Sequence, residues 1–324
     1  MTKIYLIRHA EAEGNIYRRF HGQYDSMITR NGLRQIAALR ERFRNVPVDA
    51  CYASDLFRTR KTAEAIYLAK DLPLYTDRRF REIAAGIWED LTFGYLENFE
   101  MKRMAYFRSK SPLWDIEGAE NFDKIPERFF AALKEIGERH DGQSVCVVSH
   151  CCMLMRAEKE LLGGAEVPFC DNTAVTLLEY ENGNFRINYL NDNSHLPQVI
   201  STFSRQKWLH RGGDMRDYNL YFEQTDEGAW DAMQSGNCIG HVAVDLKSGM
   251  LTELFLQEDK RDTALGPQLL GQAISVLRNR GVYTVSAEIP FDHPAKNFFD
   301  EQGFAFVYED GRTVVKKDIF VPQV

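Results

Sequence analysis

The chain has 324 residues, which exceeds the usual size of one core, so two domains are expected. Hydrophobic residues make up 44% and charged residues 27%, an ordinary globular balance, and a formal charge of -7 argues against nonspecific nucleic-acid binding, which needs a basic face. Apolar stretches fall short of the roughly 20 residues of a membrane span, and Met1-Thr2-Lys3 runs straight into an apolar strand, so a cytoplasmic location without membrane or nucleic-acid partners is expected.

In chain order, Ile4-Tyr5-Leu6-Ile7 predicts a strand that delivers Arg8 and His9 side by side to its end. An imidazole beside a guanidinium there is a candidate phosphoryl acceptor next to an oxyanion clamp. Leu33, Ile36, Ala37 and Phe43 behind Gly32 have helical spacing, as do Phe129, Leu133 and Ile136 behind Pro126. A second apolar run, Val145 to Val148, ends in Ser149-His150. Two strand-terminal histidines suit a parallel sheet with its chemistry at the carboxyl ends of the strands, and the strand and helix alternation suits a doubly wound sheet. Val175 to Tyr180 and Phe185 to Tyr189 read as a hairpin closed by an Asn-Gly turn at the sheet's far edge.

After Pro197 a polar stretch containing His210-Arg211-Gly212-Gly213-Asp214 suggests a linker over 201–217 between domains at 1–200 and 218–324. Tyr218 to Gln224 reads as a strand. Ile239 to Asp245 and Met250 to Leu256 flank Lys247-Ser248-Gly249 as an antiparallel hairpin. A helix follows with Leu265, Leu269, Ala273, Val276 and Leu277 on one face, then a strand over 282–289 and a short helix near Ala295 to Glu301. The six cysteines, at 51, 146, 151, 152, 170 and 238, have no metal-ligand spacing and read as reduced thiols, and no metal site is expected.

Residues 1–196 resemble the histidine phosphatase superfamily, which also contains the phosphoglycerate mutases. The resemblance rests on six ordered matches: Arg8-His9-Ala10-Glu11 with Asn15; Gly22-Gln23-Tyr24-Asp25 with Thr29, Gly32 and Gln35; Ser54-Asp55-Leu56-Phe57-Arg58; Arg81 to Glu89; Gly118-Ala119-Glu120-Asn121; and Ser149-His150. Two departures stand out. Cys151-Cys152 replaces the small residues usual after the second histidine, and Asp90 stands where a glycine commonly follows Trp88-Glu89.

The resemblance implies a doubly wound, three-layer α/β/α domain and a phosphohistidine mechanism without a metal. His9 would attack phosphorus while Arg8, Arg58 and a protonated His150 surround the phosphoryl group and Asn15 adds a neutral donor. Glu82, partly buried in an apolar loop beside Trp88, would protonate the leaving oxygen and then activate water. Only residues 89–117 are available for the long basic insertion that shields the intermediate in mutases, so hydrolysis of a small phosphorylated metabolite is expected. A mutase-type phosphotransferase and a noncatalytic sensor of a phosphometabolite and acyl-CoA are the alternatives. Composition leaves the oligomeric state open.

Residues 218–320 resemble the GNAT N-acetyltransferases, implying a smaller α+β domain that binds acetyl-CoA or another acyl-CoA. Arg261-Asp262-Thr263-Ala264-Leu265-Gly266 stands at the family's pyrophosphate loop, making Arg261, Ala264 and Gly266 the cofactor-binding candidates. Ala264 replaces the first glycine of that loop. Phe299 stands where many members have a tyrosine that protonates the departing thiolate, so binding is expected with weak transfer.

Overall fold

A computed structural model describes residues 1–206, 214–261, 264–309 and 312–322. Asp262, Thr263 and the stretch from His210 to Gly213 lie outside the described residues.

The first half runs β1 (Thr2–Arg8), α1 (Glu13–Tyr17), α2 (Arg30–Phe43), β2 (Ala50–Ala53), α3 (Phe57–Tyr67), β3 (Leu74–Thr76), α4 (Phe93–Phe99), α5 (Met101–Arg108), α6 (Lys124–Arg139), β4 (Ser144–Ser149), α7 (Cys151–Leu161), β5 (Val175–Glu181) and β6 (Asn184–Asp192). Its sheet has the order β3-β2-β4-β1-β5-β6, parallel from β3 to β1 and antiparallel beyond. The central strands are apolar on both sides because both faces are covered. Ile7, Cys51, Cys146 and Val148 pack with Leu39 and Phe43 of α2 and Ile66 of α3, whereas Ile4, Leu6, Val145 and Val147 pack with Phe129 and Leu133 of α6 and Leu154 of α7. This is the three-layer, doubly wound architecture expected. Asn182 and Gly183, with φ of 50° and 82°, close the edge hairpin in the turn that twisted strands prefer.

The segment after β6 is bonded to this domain. The Ile200 carbonyl accepts from Asn31 at 3.0 Å and Gln35 at 2.7 Å, the Ser201 hydroxyl donates to Asp171, and Thr202 donates to Glu11 at 2.8 Å. Residues Thr202–Arg205 form the single turn α8, and Phe203 stacks on Phe169 with ring centroids 4.9 Å apart.

The second half comprises β7 (Tyr221–Asp226), β8 (Ala229–Gln234), β9 (Asn237–Val244), β10 (Leu251–Leu256), α9 (Gly266–Asn279), β11 (Thr284–Ile289), α10 (Lys296–Glu301), β12 (Ala305–Glu309) and β13 (Arg312–Asp318). One antiparallel sheet is ordered β10-β9-β8-β7 and another β11-β13-β12, and an isolated parallel bridge between Met250 and Ser286 joins them before β10 and β11 separate. Leu269, Leu270, Ala273, Ile274 and Leu277 of α9 cover the inner face of both sheets. Tyr17 of α1 belongs to the same apolar cluster, so the two halves are packed core to core. Among the described residues no helix is long and apolar enough to cross a membrane.

Candidate active site

Strands β1 and β4 pair in parallel with Arg8 opposite Ser149, so His9 and His150 leave the sheet at the same edge. Their ring centroids are 5.3 Å apart. His9 Nδ1 lies 2.7 Å from the Ala10 carbonyl oxygen. A carbonyl can only accept, so Nδ1 carries the proton and Nε2 keeps its lone pair, the form a nucleophile needs. The neighbouring backbone is fixed by Asn172, which donates to the His9 carbonyl at 2.8 Å, and by Thr62, whose hydroxyl accepts from the Ala10 amide at 2.8 Å.

Arg8 donates to the Cys170 carbonyl and lies 5.8 Å from the Phe169 ring centroid. Arg58 is completely buried. It donates to the carbonyls of Gly22 (2.8 Å) and Tyr24 (2.9 Å) and faces Asp25 at 3.5 Å, whereas Asp55 is taken by Arg81 and Arg78. Nε of Arg8, Nε of Arg58 and both ring nitrogens of His150 are buried without a hydrogen-bond partner among the described residues. Buried polar groups are normally satisfied, so a cluster of orphaned nitrogens around two guanidinium groups is suited to an anion.

Burial pushes the pKa of His9 well below its usual value, and Arg58 and Arg8 push it further the same way. Burial and then Arg58 and His9 do likewise to His150. Burial, Arg58 and His9 thus all work against the imidazolium expected at His150. An arriving phosphate dianion supplies the negative charge that would favour its protonation.

Glu82 accepts the backbone N–H groups of Ile83, Cys152 and Met153, each at 3.1 Å, and so caps the first turn of α7 immediately after His150. Its own carbonyl is held by Gln23 and Arg128, each at 3.2 Å. The bond that Asn15 makes uses its amide oxygen, not the NH2 group that its expected role as a neutral donor would use. Its Oδ1 accepts from the Ala12 amide at 2.9 Å, closing the turn that opens α1.

Sequence reasoning missed two groups. His21 lies with its ring centroid 6.3 Å from that of His9 and its Nε2 2.8 Å from the Ser26 hydroxyl; its position directly before Gly22 was the available signal. Asn172 carried no signal, because its role is a bond to a main-chain oxygen 163 residues earlier in the chain. The six cysteines are free, and burial pushes Cys152 up to about 12 and Cys151 upward, leaving thiols rather than reactive thiolates beside His150.

The family model described as Histidine phosphatase superfamily (branch 1) matches residues 4–193, more than half of the chain. The chain belongs to the histidine phosphatase superfamily. A probable phosphoglycerate mutase GpmB of Klebsiella pneumoniae is 34% identical over 163 residues, covering 50% of this chain and 76% of that protein. Phosphoserine phosphatase 1 of Hydrogenobacter thermophilus is 31% identical over 205 residues, 60% of this chain and 95% of the relative. Among solved structures, Bacillus stearothermophilus YhfR superposes with a TM-score of 0.58 at 30% identity, covering 60% of this chain and 99% of that one. The histidine phosphatase domain is fused to a second, matched over 196–304 by the Acetyltransferase (GNAT) family.

In that GNAT domain α9 starts at Gly266 with Pro267 in its first turn. A cavity of about 530 Å³ opens there, lined by Ala264, Leu265 and Pro267 together with Arg34 of α2 and Arg205 of α8. Arg261 is exposed and its Nε donates to the Leu256 carbonyl at 3.1 Å. Phe299 is buried against Phe298 and Phe304 in the apolar core.

Proposed function

We propose that the first domain is a metal-independent phosphomonoester hydrolase acting through a phosphohistidine at His9. The observation that carries this is the pairing of His9 and His150 at 5.3 Å beside buried guanidinium groups whose Nε atoms, like both nitrogens of His150, lack partners. A phosphate dianion repels nucleophiles, so cations must surround the transferring group, and Arg8 and Arg58 supply them. His9 Nε2 attacks phosphorus, forming the N–P bond as the P–O bond to the leaving group breaks. Glu82 delivers the proton to the leaving oxygen. In the second half it takes a proton from water as the water oxygen displaces His9 from phosphorus, regenerating the free imidazole. Every step uses groups of this chain, so no metal is needed.

Hydrolysis is favoured over mutase chemistry by the short cap. Phe93 of α4 and Phe107 of α5 pack on Phe20, Phe107 also contacts Trp114, and Lys110, 4.2 Å from the Phe107 ring centroid, is the basic group on that cap we assign to the substrate's polar end. The substrate class is a small phosphorylated metabolite. The test is phosphate release from a panel of phosphomonoesters in the presence of chelator. Turnover with chelator present supports the reading, and activity lost to chelator and restored by magnesium or zinc overturns it.

We further propose that the GNAT domain binds acetyl-CoA or another acyl-CoA with its pyrophosphate at the N-terminus of α9. The helix dipole at that end favours an anion, and Ala264 and Gly266 leave room for it. The separation of β10 and β11 beyond the Met250 bridge gives the acyl arm a place between strands. When bound, the group would supply an activated acyl thioester. Phe299 has no hydroxyl to protonate a thiolate, so transfer is weak.

A further inference from the structure

We propose that the GNAT domain is a working part of the phosphatase site: Arg278 and Lys317 grip Glu13 and so position the 13–26 segment that holds Arg58 and backs His9. This rests on the hydrolase reading for its kinetic readout, though not for its binding readout.

Glu13 begins α1, four residues after His9, and is almost wholly buried. Arg278 Nη2 on α9 is 2.8 Å from one of its carboxylate oxygens and Lys317 Nζ on β13 is 3.0 Å from the other. Burial alone would raise the pKa of this carboxyl, yet Lys317 and Arg278 outweigh it and hold it below the usual value. Both cations come from the second domain. A buried carboxylate deprived of them must find water, and it reaches water only if its segment moves.

The segment has little stability of its own. Helix α1 is only five residues long, too short to persist without tertiary support. That support is α9. A Cβ added to Gly271 would lie 2.5 Å from Tyr17 Cβ, so helix and segment touch without room for a methyl group. Arg19 pairs with Asp90 at 2.6 Å and donates to Gln272 at 3.1 Å and Ser275 at 3.0 Å, and the Ser275 hydroxyl also donates to Asp90.

What α9 supports on one side, the catalytic cluster uses on the other. Gly14 lies against the His21 imidazole, which in turn lies edge-on to His9. The carbonyls that hold the Arg58 guanidinium belong to Gly22 and Tyr24, and Asp25 accepts the Phe57 amide at the start of α3. Motion of the segment away from α3 would therefore release Arg58 from its two main-chain acceptors. Arg278 and Lys317 touch no reacting atom and are positioning residues.

The test uses the full chain with Arg278→Gln and Gly271→Ala. Turnover of nitrophenyl phosphate and, separately, the affinity for inorganic phosphate by calorimetry are measured beside thermal melting. Both variants are expected to weaken phosphate binding and raise KM about tenfold or more, since a displacement on the order of 1 Å in a positioned charge costs up to about a hundredfold. Arg278→Lys, which keeps the charge, is expected to recover most of the loss. Should either variant fail to fold, Ser275→Ala, which keeps volume and deletes only the bonds to Asp90 and Arg19, carries the test in the same direction. Folded variants with unchanged KM, kcat and phosphate affinity overturn the proposal. If the wild-type chain binds phosphate but hydrolyses no ester, the hydrolase reading fails while the positioning claim is still decided by phosphate affinity. If it binds no phosphate, both fail.

Discussion

Replacing Glu82 with Gln separates the two jobs that the structure gives this side chain. As a cap it accepts three amides: one oxygen takes Ile83 and Met153, the other Cys152. A glutamine can keep its oxygen on the first pair, but its NH2 then faces the Cys152 N–H, donor against donor. One lost bond with an unsatisfied buried donor costs about 1–3 kcal/mol of stability. That loss lowers the melting temperature and falls equally on every substrate. Removing a general acid acts differently, by about 10²–10⁴-fold in rate, and only where the departing oxygen needs a proton. Hydrolysis of an alkyl phosphate by Glu82→Gln should therefore fall by that factor, while nitrophenyl phosphate, whose leaving group departs as a stable anion, should lose much less. Steady-state phosphate release at a temperature well below both melting points measures the ratio. Equal losses on the two esters would leave Glu82 as a cap alone and remove it from the proposed mechanism.

Three further outcomes are expected. His9→Ala should lower turnover by several orders of magnitude, leaving only residual catalysis from the surrounding charges; near-normal turnover would mean that another group attacks phosphorus. Burial, reinforced by Arg58, pushes the pKa of His9, His21 and His150 well below the usual value when the chain is folded. Below about pH 6.5 the unfolded chain takes up protons that the folded chain refuses, so stability present above that pH should be lost as pH falls; a melting temperature that does not drop between pH 7.5 and pH 5 would contradict this. Calorimetry with CoA on the full chain should give measurable heat, with little thiol release from acetyl-CoA over a panel of small amines; no heat at millimolar CoA would remove the binding claim, and brisk release would show that another donor replaces the hydroxyl absent at Phe299.

The central strands and their terminal histidines were legible because β1 and β4 are covered on both faces and so read as unbroken apolar runs. The edge hairpin was legible because Asn182-Gly183 adopts backbone angles that few other pairs tolerate. The pairing of β7 with β8 was not foreseen: only Tyr218 to Gln224 was read as strand, because β8 carries just Trp230 and Ala232 fully buried among partly exposed neighbours and its alternation is short. Asn15 shows a different limit: the motif places it beside the site, but that its Oδ1 would close the turn opening α1 depends on local φ and ψ that spacing does not encode. The partners of Glu13 and Asp90 were illegible for a simpler reason: Arg278 and Ser275 are more than 180 residues away in the chain.

The bonds made by Ile200, Ser201, Thr202 and Phe203 bear on how the protein can be divided. A fragment ending at residue 200 would strip Ser201 from Asp171 and Thr202 from Glu11, and would take away the ring that stacks on Phe169 above Arg8. A fragment beginning after the first domain would lose Tyr17 from its own apolar cluster and leave Arg278 and Lys317 facing an empty slot. The covalent joint and the physical seam thus lie in different places, and neither half can be excised along the line where the two family matches meet without carrying away part of the other's wall.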